Sequence, residues 1–189
     1  SWDRCVGALD WGGNNPFAFL WAMRVPCMDN EWYVFDEYYW DYQRNGVRLI
    51  RDHAAEIISR TKRWGLPLSR VWADHDAQDV MEAEACGLMT NPAIKDVIAG
   101  IEQVQKLLKV SALTNRPRLH VDERCTMTIQ QMATLRWPEG SDTHDPSDVP
   151  VKHEDHCPDA LRYIMYSEAQ LAPPTTERIV MNDQFQRKF

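Results

Sequence analysis

The chain has 189 residues, 44% hydrophobic and 26% charged, which suits one globular domain with a substantial core. Lysine and arginine number 21 against 28 aspartates and glutamates, a formal net charge of -7, so any phosphate-binding surface must be a local cluster rather than a general basic coat. No apolar stretch is long enough to span a membrane, the N-terminus lacks a signal-peptide pattern, and five cysteines without a Cys-x-x-Cys pair read as reduced thiols of a cytosolic protein.

In chain order, residues 5–10 form a first strand, with Val6, Ala8 and Asp10 on one face by the two-residue period. Asn14, Asn15 and Pro16 make a turn into residues 17–25, which are apolar on both faces and suit a central strand. A second turn at Met28-Asp29-Asn30 leads to an aromatic strand over 32–40, and the short links predict an antiparallel meander. Val47, Ile50, Ala54, Ile57, Ile58, Thr61 and Trp64 fall at helical spacing over 47–64, and Gly65 and Pro67 stop that helix.

Val71-Trp72-Ala73-Asp74 is a short strand ending in an acid, after which Asp76 can cap a helix over 77–86 that stops at Gly87. A short strand near 88–91, a helix over 95–109, a small strand at 118–121 and a helix at 124–136 follow. Pro138 to Pro150 is a polar loop carrying Asp142, His144, Asp145 and Asp148, and loops of that length are often functional or disordered. A last helix begins near Pro158 and runs to Leu171, ended by Pro173-Pro174. The expected domain is 1–172, with 173–189 a flexible C-terminal tail. Three hairpin-linked strands followed by alternating helices and strands predict an α/β fold: a mixed sheet with helices on both faces.

Three acids sit at element ends: Asp10, Asp74 and Asp159. If the first and fourth strands are adjacent and parallel, their C-terminal ends meet at the edge where open α/β sheets bind ligands. Pro158 favours the first helical position, which would make Asp159 the second residue, near the partly positive helix end; His156 precedes it by three residues. Hard oxygen ligands of this kind suit Mg²⁺ or Mn²⁺ better than zinc. Two such ions about 4 Å apart activate a water and stabilise the leaving oxygen of a phosphodiester.

Plainer readings stand beside this one. An aspartate after a strand is commonly a turn former or helix cap, and Asp74 can simply begin the turn that Asp76 caps. His144, His153, His156 and Cys157 have the wrong spacing for a zinc finger. The Tyr38-Tyr39-Trp40 stripe fits sheet surface or core better than a base-stacking platform. Arg44, Arg48, Arg51, Arg60, Lys62 and Arg63 either solubilise a helix or in part contact phosphates.

Four segments carry a resemblance: Gly7-Ala8-Leu9-Asp10-Trp11-Gly12, Trp72-Ala73-Asp74, Lys95-Asp96-Val97-Ile98-Ala99-Gly100-Ile101, and His153-Glu154-Asp155-His156-Cys157-Pro158-Asp159-Ala160-Leu161-Arg162-Tyr163. In this order they resemble the C-terminal nuclease domain of the large terminase subunit of tailed bacteriophages, over most of residues 5–170. The resemblance implies an RNase H-like fold, a mixed five-stranded sheet flanked by helices. It implies an endonuclease that cuts concatemeric viral double-stranded DNA during genome packaging, using two Mg²⁺ or Mn²⁺ ions.

Asp10 and Asp74 then match the first two acids and Asp159 the third. His156 is the nearby ligand candidate, and Asp155 a competing or additional ligand. Lys95 is a candidate phosphate contact, and Arg44 and Arg48 are candidate DNA contacts. Implied partners are double-stranded DNA, the portal, the small terminase subunit and the packaging ATPase domain of the same subunit. That ATPase domain is expected to be absent here, since no Gly-x-x-x-x-Gly-Lys-Ser/Thr loop occurs. The implied location is the host cytoplasm, in the viral packaging motor. Two other readings remain: another RNase H-like nuclease such as a junction resolvase or transposase core, and a non-catalytic docking module for the portal or small subunit.

Overall fold

The sheet grows outward from a strand with no polar face. In the computed structural model, which describes residues 4–11, 16–25, 29–74, 77–136 and 155–171, that strand is β2 (Phe17–Val25). Seven of its residues in succession are buried, because both faces are covered. β1 (Arg4–Asp10) and β3 (Glu31–Trp40) flank it antiparallel, as the short links require. β4 (Arg70–Ala73) pairs parallel with β1, β5 (Asn91–Pro92) parallel with β4, and β6 (Leu119–Val121) parallel with β3. The order is β5-β4-β1-β2-β3-β6. The described sheet thus has six strands, as the strand-by-strand reading gives, rather than the five the resemblance implies.

Six helices complete the described chain: α1 (Tyr42–Asn45), α2 (Ile50–Trp64), α3 (Ala77–Ala85), α4 (Val97–Leu108), α5 (Thr126–Thr134) and α6 (His156–Leu171). Strand alternation sorts the core into two layers. Val6, Ala8, Leu20, Ala22 and Trp72 face α4 and α6, meeting Val104, Leu107, Ala160, Leu161 and Ile164. Cys5, Leu9, Phe17, Phe19, Trp21 and Val71 face α2 and α3, meeting Ala54, Ile57 and Ala83. Full burial of each large aliphatic side chain contributes about 1.5–3 kcal/mol. Gly7 is required by this packing: a Cβ there would lie 2.3 Å from Cζ of Phe19, so the ring lies directly on the β1 backbone.

Several boundaries differ from the sequence expectation for identifiable reasons. The helix expected from residue 47 starts at Ile50. Asp41 accepts from the Gln43 and Arg44 amides and caps the unforeseen α1, which Gly46 ends at φ 79°. The strand expected at 88–91 reduces to Asn91–Pro92, since Pro92 has no amide to donate to a ladder. α5 begins at Thr126, where the Glu37 carboxylate accepts from the Met127 and Thr128 amides at 2.8 Å each. The turn at 12–15, the cap at Asp76, the 138–150 loop and the 173–189 tail lie outside the described residues. Among those described, no helix is long and apolar enough to cross a membrane.

His53 locks α2 to the sheet. It is fully buried, stacks on Phe17 at 4.1 Å, and bonds Tyr38 Oη through Nδ1 (2.8 Å) and Tyr42 Oη through Nε2 (2.9 Å). One nitrogen donates and the other accepts, so the ring is neutral. Burial, aided by Arg48, pushes its pKa down to about 4. A depressed histidine stabilises the fold above its unfolded pKa near 6.5 and loses that contribution as pH falls toward 4, roughly 2–3 kcal/mol in all. Urea denaturation of His53→Gln should therefore show a shallower loss of stability between pH 6.5 and 4 than the parent chain; equal slopes would contradict the assignment.

Candidate metal and nuclease site

Parallel pairing of β1 with β4 sets Leu9 opposite Ala73, so one step further Asp10 and Asp74 leave neighbouring strands side by side. Ala8 and Trp72 belong to the layer under α6, and the two-residue period puts the acids on that same face. Trp11 ties the two strand ends together by donating Nε1–H to the Asp74 carbonyl at 3.1 Å.

α6 supplies the other side of the site. Its first intrahelical hydrogen bond runs from the Asp159 amide to the Asp155 carbonyl at 2.8 Å. The helix starts at His156, not Pro158, so Asp159 is its fourth residue rather than its second. Pro158 is accommodated because amides of the first turn have no intrahelical partner to lose. His156 Nδ1 lies 2.7 Å from Asp10 Oδ2, and Tyr163 donates its hydroxyl to Asp10 Oδ1 at 3.5 Å. Asp10 and His156 are each only 14% exposed.

Every acid of the expected triad carries an internal cation or donor. Asp10 has His156, Asp74 has the Lys95 ammonium, and Asp159 has Arg162, which approaches Asp159 Oδ1 at 3.0 Å through Nη2 and 3.3 Å through Nε. Burial alone would lower the His156 pKa, but the hydrogen bond and charge of Asp10, joined by the charges of Asp155 and Asp159, raise it overall. Burial raises the Asp159 carboxyl, Arg162 opposes the rise, and Asp10 and Asp155 reinforce it. These couplings put Asp10, Asp155, His156 and Asp159 in one electrostatic cluster. Among the described residues, no three His, Cys, Asp or Glu side chains converge closely enough to hold an ion in this arrangement. Cys157 is fully buried and burial raises its thiol pKa, so it offers no thiolate; His144 and His153 lie outside the described residues.

Lys95 precedes α4, whose N-cap Asp96 accepts from the Ala99 amide. It is fixed there by Arg162, to which sequence reasoning assigns no role. The Arg162 guanidinium donates through Nη1 to the carbonyls of Lys95 (3.0 Å) and Asp96 (3.4 Å) as well as to Asp159. Its aliphatic stem crosses Gly100, where a Cβ would lie 2.4 Å from Cγ of Arg162. Both residues sit in the quoted motifs, Gly100 in Lys-Asp-Val-Ile-Ala-Gly-Ile and Arg162 in Ala-Leu-Arg-Tyr, but their contact is invisible in one dimension. Arg44 and Arg48 lie on the α2 side. Arg44 is exposed and paired with Asp41 at 3.4 Å, and the Arg48 guanidinium rests 4.6 Å above Trp40.

No family model matches the chain, and no curated protein matches it. Solved structures do. A full-length large terminase from a thermophilic bacteriophage aligns with a TM-score of 0.72 at 21% identity, covering 88% of this chain and 39% of that one. The nuclease domain of the P22 large terminase aligns at 0.64 with 18% identity, covering 87% and 81%, and the large terminase nuclease from thermophilic phage G20c at 0.54 with 15% identity, covering 87% and 82%. The chain thus spans about two fifths of the first of these proteins, against the 81% of the P22 nuclease domain that it covers. Its fold is the RNase H-like fold of terminase nuclease domains, with the acid-bearing edge described above.

The Gly100–Arg162 contact makes a direct prediction. Gly100→Ala should cost about 1–3 kcal/mol by displacing the Arg162 stem, yet become neutral or stabilising in an Arg162→Ala background, where only helix propensity remains. Urea denaturation of the four chains of this cycle measures the coupling, and strict additivity would contradict it.

Proposed function

We propose that the chain is a divalent-metal-dependent DNA endonuclease, the cleavage domain of a viral packaging terminase. What supports this most is that Asp10 and Asp74 leave adjacent parallel strands side by side, with His156 and Asp159 carried over that edge by α6. The donor chemistry, carboxylate oxygens from separate rigid elements, fits Mg²⁺ or Mn²⁺. In this reading Asp10 bridges two ions, Asp74 and Asp159 each hold one, and His156 or Asp155 completes a shell. When bound, the ions would supply a lowered water pKa and charge neutralisation at the leaving oxygen.

The chain's own residues do the rest. Lys95 and His156 hold the carboxylates in place until the ions arrive, and exchange of partners frees Lys95 to meet a DNA phosphate. Tyr163 fixes the Asp10 carboxylate plane from behind. Arg162 keeps Asp159 and the Lys95 backbone at a constant separation, so the site is held by helices rather than by a loop. The substrate is double-stranded viral DNA, and the partners are the ATPase domain of a longer subunit, the portal and the small terminase subunit, in the host cytoplasm.

The complete internal pairing of the three acids also suits a silent docking module, and one assay separates the two. The chain should nick supercoiled plasmid with Mn²⁺ and fail with chelator. Asp10→Asn, which keeps the side-chain shape, should lose more than about 100-fold of that rate, beyond the usual effect of an outer-shell residue. A parent chain with no metal-dependent nicking, or a variant with full activity and an unchanged melt, would overturn the assignment.

A further inference from the structure

At the same end of the sheet, a short loop leaves two apolar side chains in solvent between arginines. Val47 is 89% exposed and Leu49 46%. Arg44, Arg48 and Arg51 surround them in sequence. Isolated exposed aliphatics are ordinary, but this loop is held rigidly. Asp41 caps α1 before it, Trp40 donates Nε1–H to the Gly46 carbonyl at 3.0 Å, and Gly46 turns at φ 79°. Arg48 donates to the Asp52 carbonyl at 3.2 Å while its guanidinium lies 4.6 Å from the Trp40 ring and 5.7 Å from the Tyr38 ring.

Its position relative to the acids follows from strand register. Asp10 faces Ala18 across β1 and β2, and Phe17 faces Trp40 across β2 and β3, so Trp40 and Asp10 finish at one edge. A chain of ring contacts connects the two places: Trp11 to Phe17 at 5.8 Å, Phe17 to His53 at 4.1 Å, and His53 to Tyr42 at 5.9 Å. Loop and acids therefore lie within one helical turn of a duplex, ~35 Å.

Resting on the endonuclease reading above, we propose that residues 46–49 form a minor-groove wedge that seats duplex DNA against the acid edge. Val47 and Leu49 enter the groove, and Arg44, Arg48 and Arg51 meet the phosphates on either side. Apolar side chains flanked by arginines are what minor-groove binding uses, with the apolar tip opening a base step and the cations anchoring the backbone. Arg48, already planar over Trp40, loses little side-chain freedom on meeting a phosphate. The pairs Arg44–Asp41 at 3.4 Å and Arg51–Asp52 at 3.9 Å are exposed and exchange readily for phosphate. This cluster also accounts for how a chain of net charge -7 engages DNA at all. The positive charge is concentrated beside the site instead of spread over the surface.

The test is Mn²⁺-dependent plasmid nicking as a function of DNA and salt concentration, for the parent chain, Val47→Asp, Arg48→Gln and, at another exposed valine, Val110→Asp. Bis(p-nitrophenyl) phosphate serves as a substrate without a groove. The wedge predicts KM for plasmid raised about threefold or more in Val47→Asp and Arg48→Gln. It also predicts a salt slope of log(kcat/KM) reduced by about 0.9 in Arg48→Gln. Val110→Asp should match the parent, and hydrolysis of the small diester should be unchanged throughout. Parent-like KM and salt slope in both loop variants overturn the wedge while leaving the nuclease reading intact; a parent chain that cleaves neither substrate removes both. Sedimentation of the same proteins reads the competing occupant: a dimer lost in Val47→Asp with plasmid KM unchanged assigns the loop to self-association and overturns the proposal.

Discussion

The constraint on which the site depends is the parallel pairing of β1 with β4. Antiparallel pairing would send Asp10 and Asp74 to opposite ends of the sheet. Parallel pairing brings them to one end, and the shared register brings them to one face. The three-strand meander makes this possible by filling the other side of β1, so that β4 has a single edge on which to add. Central β2, buried on both faces, is what forces helices onto both sides, and α6 is the helix that then crosses the acid edge.

The electrostatics of that edge are arranged pairwise. Asp10, Asp74 and Asp159 are drawn from elements far apart in sequence, and each is met by a cation or donor. Uncompensated, such a cluster would repel itself and shift toward protonation. His156 responds in that direction, its pKa held up by Asp10 against the effect of burial. Its contribution to stability is complete below the ordinary value near 6.5 and fades as pH rises through the raised one, opposite in sense to buried His53. The two histidines thus bound the stability of the metal-free chain from either side.

Much of this is legible in one dimension, and the part that is not has a common cause. The strands of the meander announce themselves by apolar alternation and short turns, and the acids by their place at element ends. Helix starts are less visible because side chains outside the local pattern decide them: Glu37 reaches across the chain to hold the first amides of α5, and Asp41 diverts residues 42–45 into a helix of their own. The backing of the site is least visible of all. Arg162 and Gly100 sit in motifs quoted for other residues, and only folding brings the arginine stem onto the glycine. Lys95, a phosphate contact by its motif, is found on Asp74, a placement that makes physical sense for carboxylates without their ions.

The central claim is that three acids from β1, the end of β4 and α6 form one cation site. Mn²⁺ binding followed by calorimetry or by loss of the free-ion paramagnetic resonance signal tests it most directly, with Asp10→Asn, Asp74→Asn and Asp159→Asn beside the parent chain. Binding to the parent is expected, with a loss of at least about tenfold in affinity in each variant and the fold retained. Binding unchanged in all three, or absent from the parent, would contradict it.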